Sequence, residues 1–125
     1  MLRYDPLVAP DPDEWTDLDE SERISLVKDF HRKARIRLPN ADVHAAIHAI
    51  IETQIALGVE IPVQRTVDRL MDEGLDRHDA IHAVGMTLTE HMQNLVRATA
   101  VPADPNAAYY AALERLTAEG WRRSF

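Results

Sequence analysis

The sequence predicts an all-α protein, folded as a single irregular bundle of about five helices. Apolar residues recur at spacings of three and four along most of the chain, as on the buried face of a helix. No segment alternates apolar and polar residues for long enough to form a convincing strand. The length of 125 residues suits one domain. We therefore predict a helical domain over residues 13–125, preceded by a loosely ordered acidic arm over residues 1–12.

The first predicted helix lies within residues 17–34. Asp19 suits its N-cap, because a side-chain oxygen at that position accepts hydrogen bonds from backbone N–H groups of the first turn. Its apolar stripe consists of Ile24, Val27 and Phe30, with Ala34 beyond.

The second predicted helix covers residues 41–58. Asn40 or Asp42 can serve as its N-cap. Gly58 stands just past the last apolar position, where glycine commonly ends a helix.

Three further helices are predicted, over residues 61–74, 75–99 and 104–120. Pro62 suits the first turn of the third helix, and Gly74 suits its end. Asp76 is the expected N-cap of the fourth helix, and Asp104 that of the fifth. Short connections between these segments favour a compact bundle.

Composition and charge narrow the function classes. The chain has no cysteine, which excludes disulfides and thiolate metal ligands and favours a cytoplasmic location. No apolar run approaches the about 20 residues of a membrane span, and the first residues lack the pattern of a signal peptide. We therefore expect no membrane partner.

The formal net charge of −7 comes from the N-terminal part of the chain. Residues 1–22 carry eight acidic side chains and one arginine, and the rest of the chain is balanced. Basic residues cluster between positions 23 and 37, a pattern seen in nucleic-acid patches. Because an acidic domain repels phosphate, we expect no nucleic-acid partner and interpret these bases as a solvated face or a contact for the acidic arm.

Two H-x-x-x-H pairs are the sequence feature that points most directly to chemistry. His44 and His48 lie on the second predicted helix, with Glu52 four residues further on, and His78 and His82 lie on the fourth. At 100° per residue, this spacing places each set along one side of its helix. Both pairs border an apolar arc, so we expect partly buried imidazoles with a lowered pKa.

The histidine pairs predict a site for a divalent metal, zinc or iron, on two helices. Imidazole and carboxylate groups are common ligands of these metals. The predicted ligands are His44, His48, Glu52, His78 and His82, with Glu52 either a ligand or an outer hydrogen-bond acceptor. Alanine follows both histidines of the first pair, so the catalytic H-E-x-x-H signature is absent. No catalytic residue is assigned, and whether the protein is an enzyme stays open.

The alternative interpretation is a non-catalytic interaction module in which the histidines hydrogen-bond across a helix seam. The C-terminal helix and tail suggest a homodimer, because aromatic and arginine residues are enriched at interfaces. The relevant aromatic residues are Tyr109, Tyr110, Trp121 and Phe125. Equally, this helix can cap the bundle within one chain.

Residues 40–92 resemble a group of small bacterial helical proteins of unknown function. The resemblance rests on two motifs, H-x-x-x-H-x-x-x-E-x-Q (His44, His48, Glu52 and Gln54) and G-L-x-R-H-[DE]-A-I-H (Gly74 to His82). It implies an all-α structure in the bacterial cytoplasm. It implies no activity and assigns no catalytic role.

Overall fold

The computed structural model describes residues 3–36, 40–100 and 102–123. These residues form seven helices and no strand: α1 (Pro12–Asp17), α2 (Glu20–Lys33), α3 (Ala41–Ala56), α4 (Val63–Asp72), α5 (Arg77–Arg97), α6 (Ala107–Arg115) and α7 (Ala118–Arg123). The all-α prediction is confirmed. The count of about five helices was too low, because short helices precede α2 and follow α6. None of the described helices combines the length and the apolar content that crossing a membrane requires.

The starts of α2, α3 and α5 were predicted correctly, and a side chain caps each of them, whereas α1, which Asp11 caps, was not predicted. The side chains of Asp19, Asn40 and Asp76 accept hydrogen bonds from the first turns of α2, α3 and α5. Gly58 and Gly74 follow the ends of α3 and α4 with φ angles of 90° and 108°, a backbone conformation that favours glycine.

The C-terminal part departs from the prediction of one helix over residues 104–120. The backbone becomes extended at Leu116, which ends α6, and α7 begins two residues later. Asn106, not Asp104, precedes the first turn of α6, without a side-chain cap. Tyr109 is buried and Trp121 is half-buried against the same core, so both contact their own chain. Phe125 lies outside the described residues.

Helices α3 and α5 are central. Helix α3 contacts α1, α2, α4 and α5, and helix α5 also contacts α4 and α6. Gly85 permits the close approach of α5 to α3, because a Cβ atom at this position would lie 2.9 Å from Cγ2 of Ile47. The two helices that carry the H-x-x-x-H pairs are therefore packed neighbours.

The buried hydrophobic residues form two groups. The first group, which we call the apolar core, lies on α3 to α7 and the α4–α5 connection: Ile51, Val63, Val67, Leu70, Leu75, Ala80, Ile81, Ala83, Val84, Leu88, Tyr109, Leu113 and Ala118. The second group, which we call the N-terminal core, consists of Tyr4, Trp15, Val27, Ala45 and Ala49.

Part of the segment that we expected to be a loose arm packs into the N-terminal core. Tyr4 is only 6% exposed, and Pro6 is fully buried. The Tyr4 ring contacts Trp15 and Phe30, at centroid distances of 5.8 and 6.2 Å. The segment is not helical where Tyr4 lies, so no periodicity in the sequence marks this contact.

Candidate metal centre

Five histidines from three helices meet beside the N-terminal core. We call this group the histidine cluster: His31 on α2, His44 and His48 on α3, and His78 and His82 on α5. His48 is central, because its ring centroid lies 5.0–5.2 Å from the centroids of the other four rings. The i, i+4 spacing on α3 and on α5 turns both members of each pair toward the same seam.

Four members of the cluster have the spacing of a metal-ligand set. One ring nitrogen from each of four histidines lies within 4.8 Å of the others: His31, His48, His78 and His82. Two nitrogens bound to one zinc ion at about 2.0–2.1 Å lie at most about 4.2 Å apart. Small rotations of the rings would therefore bring the set to coordination distance. His44 lies at the edge of this set, with ring centroids 4.7 Å from His31 and 4.9 Å from His82.

The Nε2 atoms of the cluster are buried and available. None of the five has a hydrogen-bond partner among the residues that the structure describes. Buried polar atoms in proteins are usually hydrogen-bonded, and leaving one unsatisfied costs free energy. A cation bound by the cluster would satisfy such unpartnered nitrogens.

Hydrogen bonds at Nδ1 orient two of these rings. Nδ1 of His31 lies 2.9 Å from the backbone oxygen of Val27. A carbonyl oxygen only accepts hydrogen bonds, so this nitrogen carries a proton, and in the neutral ring the lone pair is on Nε2. This tautomer is the one that can bind a metal through Nε2.

A chain of buried polar groups orients His48 in the same way. Tyr4 donates its hydroxyl proton to Oε2 of Glu52 at 2.6 Å, and its oxygen lies 2.9 Å from Nδ1 of His48. Since the only proton of the hydroxyl is directed to Glu52, Nδ1 of His48 must be the donor in the second bond. Nε2 of His48 therefore also holds a lone pair.

Arg77 completes this chain. It forms two hydrogen bonds to Glu52, of 2.8 and 2.7 Å, and Nη1 also donates to the backbone oxygen of Pro6 at 3.0 Å. The ion pair is buried, with side-chain exposures of 7% for Arg77 and 0% for Glu52. Burial, followed by the charge of Glu52, raises the pKa of Tyr4. The tyrosine therefore stays protonated and keeps donating to the carboxylate.

Burial favours the neutral form of four of these imidazoles, those of His44, His48, His78 and His82. Burial, followed by the charges of neighbouring histidines, lowers the pKa of His44 to about 4 and that of His82 to about 3. Burial is also the main cause that lowers the pKa of His48 and His78. The lowered pKa expected from the sequence is confirmed for these four residues. Neutral imidazole is the form that binds metal ions.

The structure places the predicted ligands in different positions. His48, His78 and His82 belong to the four-histidine set, and His44 adjoins it. Both carboxylate oxygens of Glu52 accept hydrogen bonds, from Arg77 and Tyr4. Of the two roles considered for Glu52, a metal ligand or an outer hydrogen-bond acceptor, this arrangement fits the second. Direct coordination by any of the predicted ligands stays a prediction.

Sequence reasoning missed His31 and Tyr4. His31 has no histidine four residues away, so it did not belong to a pair. However, it stands four residues after Val27, which was assigned to the buried stripe of the same helix, and this spacing could have placed it on the buried face. Tyr4 had no such signal.

Comparison of the chain with known protein families, with curated proteins and with solved structures gave no match.

Proposed function

We propose that this protein binds a divalent transition metal ion, zinc or iron, through buried histidines of α2, α3 and α5. The observation that carries the proposal is a group of four histidines that bring one ring nitrogen each within 4.8 Å of the others and whose Nε2 atoms have no hydrogen-bond partner. The ligands are His31, His48, His78 and His82, with His44 available as a fifth. Glu52 acts through Tyr4 to orient His48.

The donor set favours this class of metal. Imidazole nitrogen suits zinc, iron, copper and nickel, whereas calcium and magnesium prefer oxygen ligands. The three helices hold the rings before the metal arrives, so binding requires little rearrangement. In keeping with the sequence resemblance, we place the protein in the bacterial cytoplasm as part of the same proposal.

The alternative is an interaction module or homodimer in which the histidines only serve helix packing. Histidines that stabilise a seam are expected to hydrogen-bond across it. In the described part of the chain, only His48 forms a hydrogen bond to another element, through Nδ1 to Tyr4, whereas His31 bonds within α2. The Nε2 atoms of all five rings have no hydrogen-bond partner. This difference favours the metal-binding proposal.

Metal analysis of protein purified without a nickel column tests the proposal. We expect stoichiometric zinc or iron in the wild-type protein and its loss in His48→Ala and His82→Ala variants. His91→Ala is the matched control, because His91 also lies on α5 with a buried, unpartnered Nε2 but stacks on Tyr109, outside the cluster. This variant should retain the metal.

Thermal unfolding provides a second measurement on the same proteins. Added zinc at 100 times its dissociation constant should stabilise the wild-type protein by about 2.7 kcal/mol. It should stabilise His91→Ala equally and the two cluster variants much less. If the wild-type protein contains no metal and its unfolding temperature is unchanged by zinc and by ferrous iron, the alternative is correct.

A further inference from the structure

A cavity adjoins the histidine cluster on one side. It lies between α3 and α5 and has a volume of about 870 Å³. His44, His48 and His82 line one part of it, whereas His31 and His78 are absent from its described lining. A metal ion held by the cluster would therefore have this cavity on the side of His44, His48 and His82.

Most of the cavity wall is apolar. Its apolar part is formed mainly by Val43 and Ile47 from α3 and by Ile81 and Met86 from α5. Gly85 contributes backbone to the wall, where α5 lies close to Ile47 of α3. Ligand sites commonly combine such an apolar wall with a few polar groups that fix orientation.

The proposed ligands would not balance the charge of the metal, because every one of them is a neutral imidazole. Glu52 already forms a buried ion pair with Arg77. The other carboxylates that act on His78, those of Asp5, Asp76 and Asp79, are absent from the described lining of the cavity, and Glu90, which lines it, is exposed. A buried charge is costly unless it is paired. An anion entering through the cavity would provide the missing charge.

We infer that the cavity binds a small organic anion of the carboxylate class, with its carboxylate on the metal and its apolar body between α3 and α5. This inference rests on the proposed metal binding and adds the class of molecule that the site accepts. The carboxylate occupies the coordination position that faces His44 and His82. The apolar body contacts Val43, Ile47 and Met86.

Cobalt(II) provides the test, because its visible spectrum reports changes in coordination. The cobalt-loaded protein is titrated with octanoate, acetate and octanol. Octanoate should change the spectrum at a concentration at least about tenfold below that of acetate, since burial of two methylene groups already gives this factor. Octanol, which has the same apolar chain and no charge, should leave the spectrum unchanged.

Variants in the cavity wall locate the apolar body. Met86→Trp should raise the half-saturation concentration of octanoate at least about tenfold and leave that of acetate unchanged, because the indole fills space that the chain would occupy. Met92→Trp is the control, because Met92 is on the same helix with nearly the same exposure, 46% against 48%, but does not line the cavity. Val43→Trp is a second filling variant if Met86→Trp does not fold.

The outcomes separate this inference from the proposed function. Failure of cobalt to bind overturns the metal site itself. If cobalt binds to the wild-type protein and not to His48→Ala, the metal site stands. The inference about the cavity is then overturned if the cobalt spectrum responds equally to octanoate and acetate. It is also overturned if octanoate binding is unchanged in both Met86→Trp and Val43→Trp. Arg97 also lines the cavity and could bind the carboxylate in place of the metal. The inference is therefore also overturned if the metal-free protein binds octanoate as tightly as the cobalt-loaded protein and Arg97→Gln abolishes that binding.

Discussion

The apolar core and the region around the histidine cluster are two halves of one interior, built from different chemistry. Leu70, Val84 and Leu113 are fully buried in the apolar core and need only contacts with other apolar atoms. The other half buries Glu52, Arg77, His31 and His48 and half-buries the other three cluster histidines, and the polar atoms of these residues need specific partners. Burial of each large aliphatic side chain contributes about 1.5–3 kcal/mol, whereas buried polar groups cost free energy unless they are paired.

The comparison shows how a small helical domain can hold a polar site. The apolar core provides stability that does not depend on pH or on a ligand. The N-terminal core lies beside the polar groups, and Tyr4 contacts both, because its ring packs on Trp15 while its hydroxyl bonds to Glu52. Hydrogen bonds hold polar groups of this half, such as His48, in position.

Acidification of the metal-free protein should give the largest difference between the halves. Because burial lowers the pKa of four cluster histidines, the unfolded chain takes up protons that the folded protein excludes. Stability should be full above about pH 6.5 and fall as the pH drops toward the folded-state values, by up to about 1.4 kcal/mol per pH unit for each histidine. Urea unfolding at a series of pH values measures this slope.

A matched variant assigns the pH slope to the cluster. His82→Gln removes one titrating group and should reduce the slope by up to about 1.4 kcal/mol per pH unit. A stability that is flat from pH 7.5 to 5.5 would show that the cluster takes up protons freely in the folded state.

Breaking the buried ion pair should have the next largest effect. Arg77→Leu leaves Glu52 buried without its cation and should lower the free energy of unfolding by about 3–5 kcal/mol. Arg32→Leu is the control, because its ion pair with Asp29 is exposed and should contribute less than about 1 kcal/mol.

The double variant Glu52→Gln, Arg77→Gln sharpens the result, because it removes both charges and should recover much of the loss. Equal losses from Arg77→Leu and Arg32→Leu in urea unfolding would show that the pair is hydrated in solution.

A cavity in the apolar core should reduce stability without affecting the metal site. Leu70→Ala should lower the free energy of unfolding by about 2–5 kcal/mol, since Leu70 is fully buried. The bound zinc per folded chain should be unchanged, because Leu70 lies on α4, which contributes no member of the cluster. Loss of zinc binding in this variant at a temperature where it is still folded would show that the two halves are coupled.

Removing one hydroxyl should give the smallest change in stability and a specific change in metal binding. Tyr4→Phe leaves Nδ1 of His48 without an acceptor and should cost about 1–3 kcal/mol. Zinc affinity should fall about 10–100-fold, as is typical when an outer partner of a ligand is lost. Competition with a zinc-binding dye measures the affinity.

Tyr109→Phe is the matched control for the hydroxyl. Its hydroxyl donates to Oε1 of Gln54 at 2.8 Å, away from the cluster. This variant should lose a similar amount of stability and no zinc affinity. If both variants bind zinc like the wild-type protein, Tyr4 does not control the tautomer of His48.

The sequence predicted the features that depend on local chemistry. Asp19 and Asp76 were identified as caps, because an N-cap depends on residues within one turn. The spacing of the two H-x-x-x-H pairs likewise acts within one helix turn, and it placed both pairs at seams between helices. The spacing could not show that α2 would bring His31 to the same seam, because the neighbours of a helix are decided by packing of the whole chain.

Contacts outside the regular helices were the least predictable part. Tyr4 lies in a proline-containing segment without periodicity, yet its hydroxyl sets the orientation of His48. The break between α6 and α7 was also missed, because the apolar residues continue across it. In both cases the deciding interactions join residues that are far apart along the chain.

The ties between the N-terminal segment and α5 have a consequence for the order of events during protein synthesis. Arg77 donates to the backbone oxygen of Pro6, 71 residues earlier in the chain. At about 5–20 residues per second, the ribosome makes Arg77 roughly 4–14 seconds after Pro6. The bond between Pro6 and Arg77 therefore forms only after the chain has been made as far as α5, whereas the contacts of Tyr4 with Trp15 and Phe30 can form earlier. A growing chain would complete the histidine cluster and the ion pair of Glu52 at nearly the same moment, when α5 emerges from the ribosome.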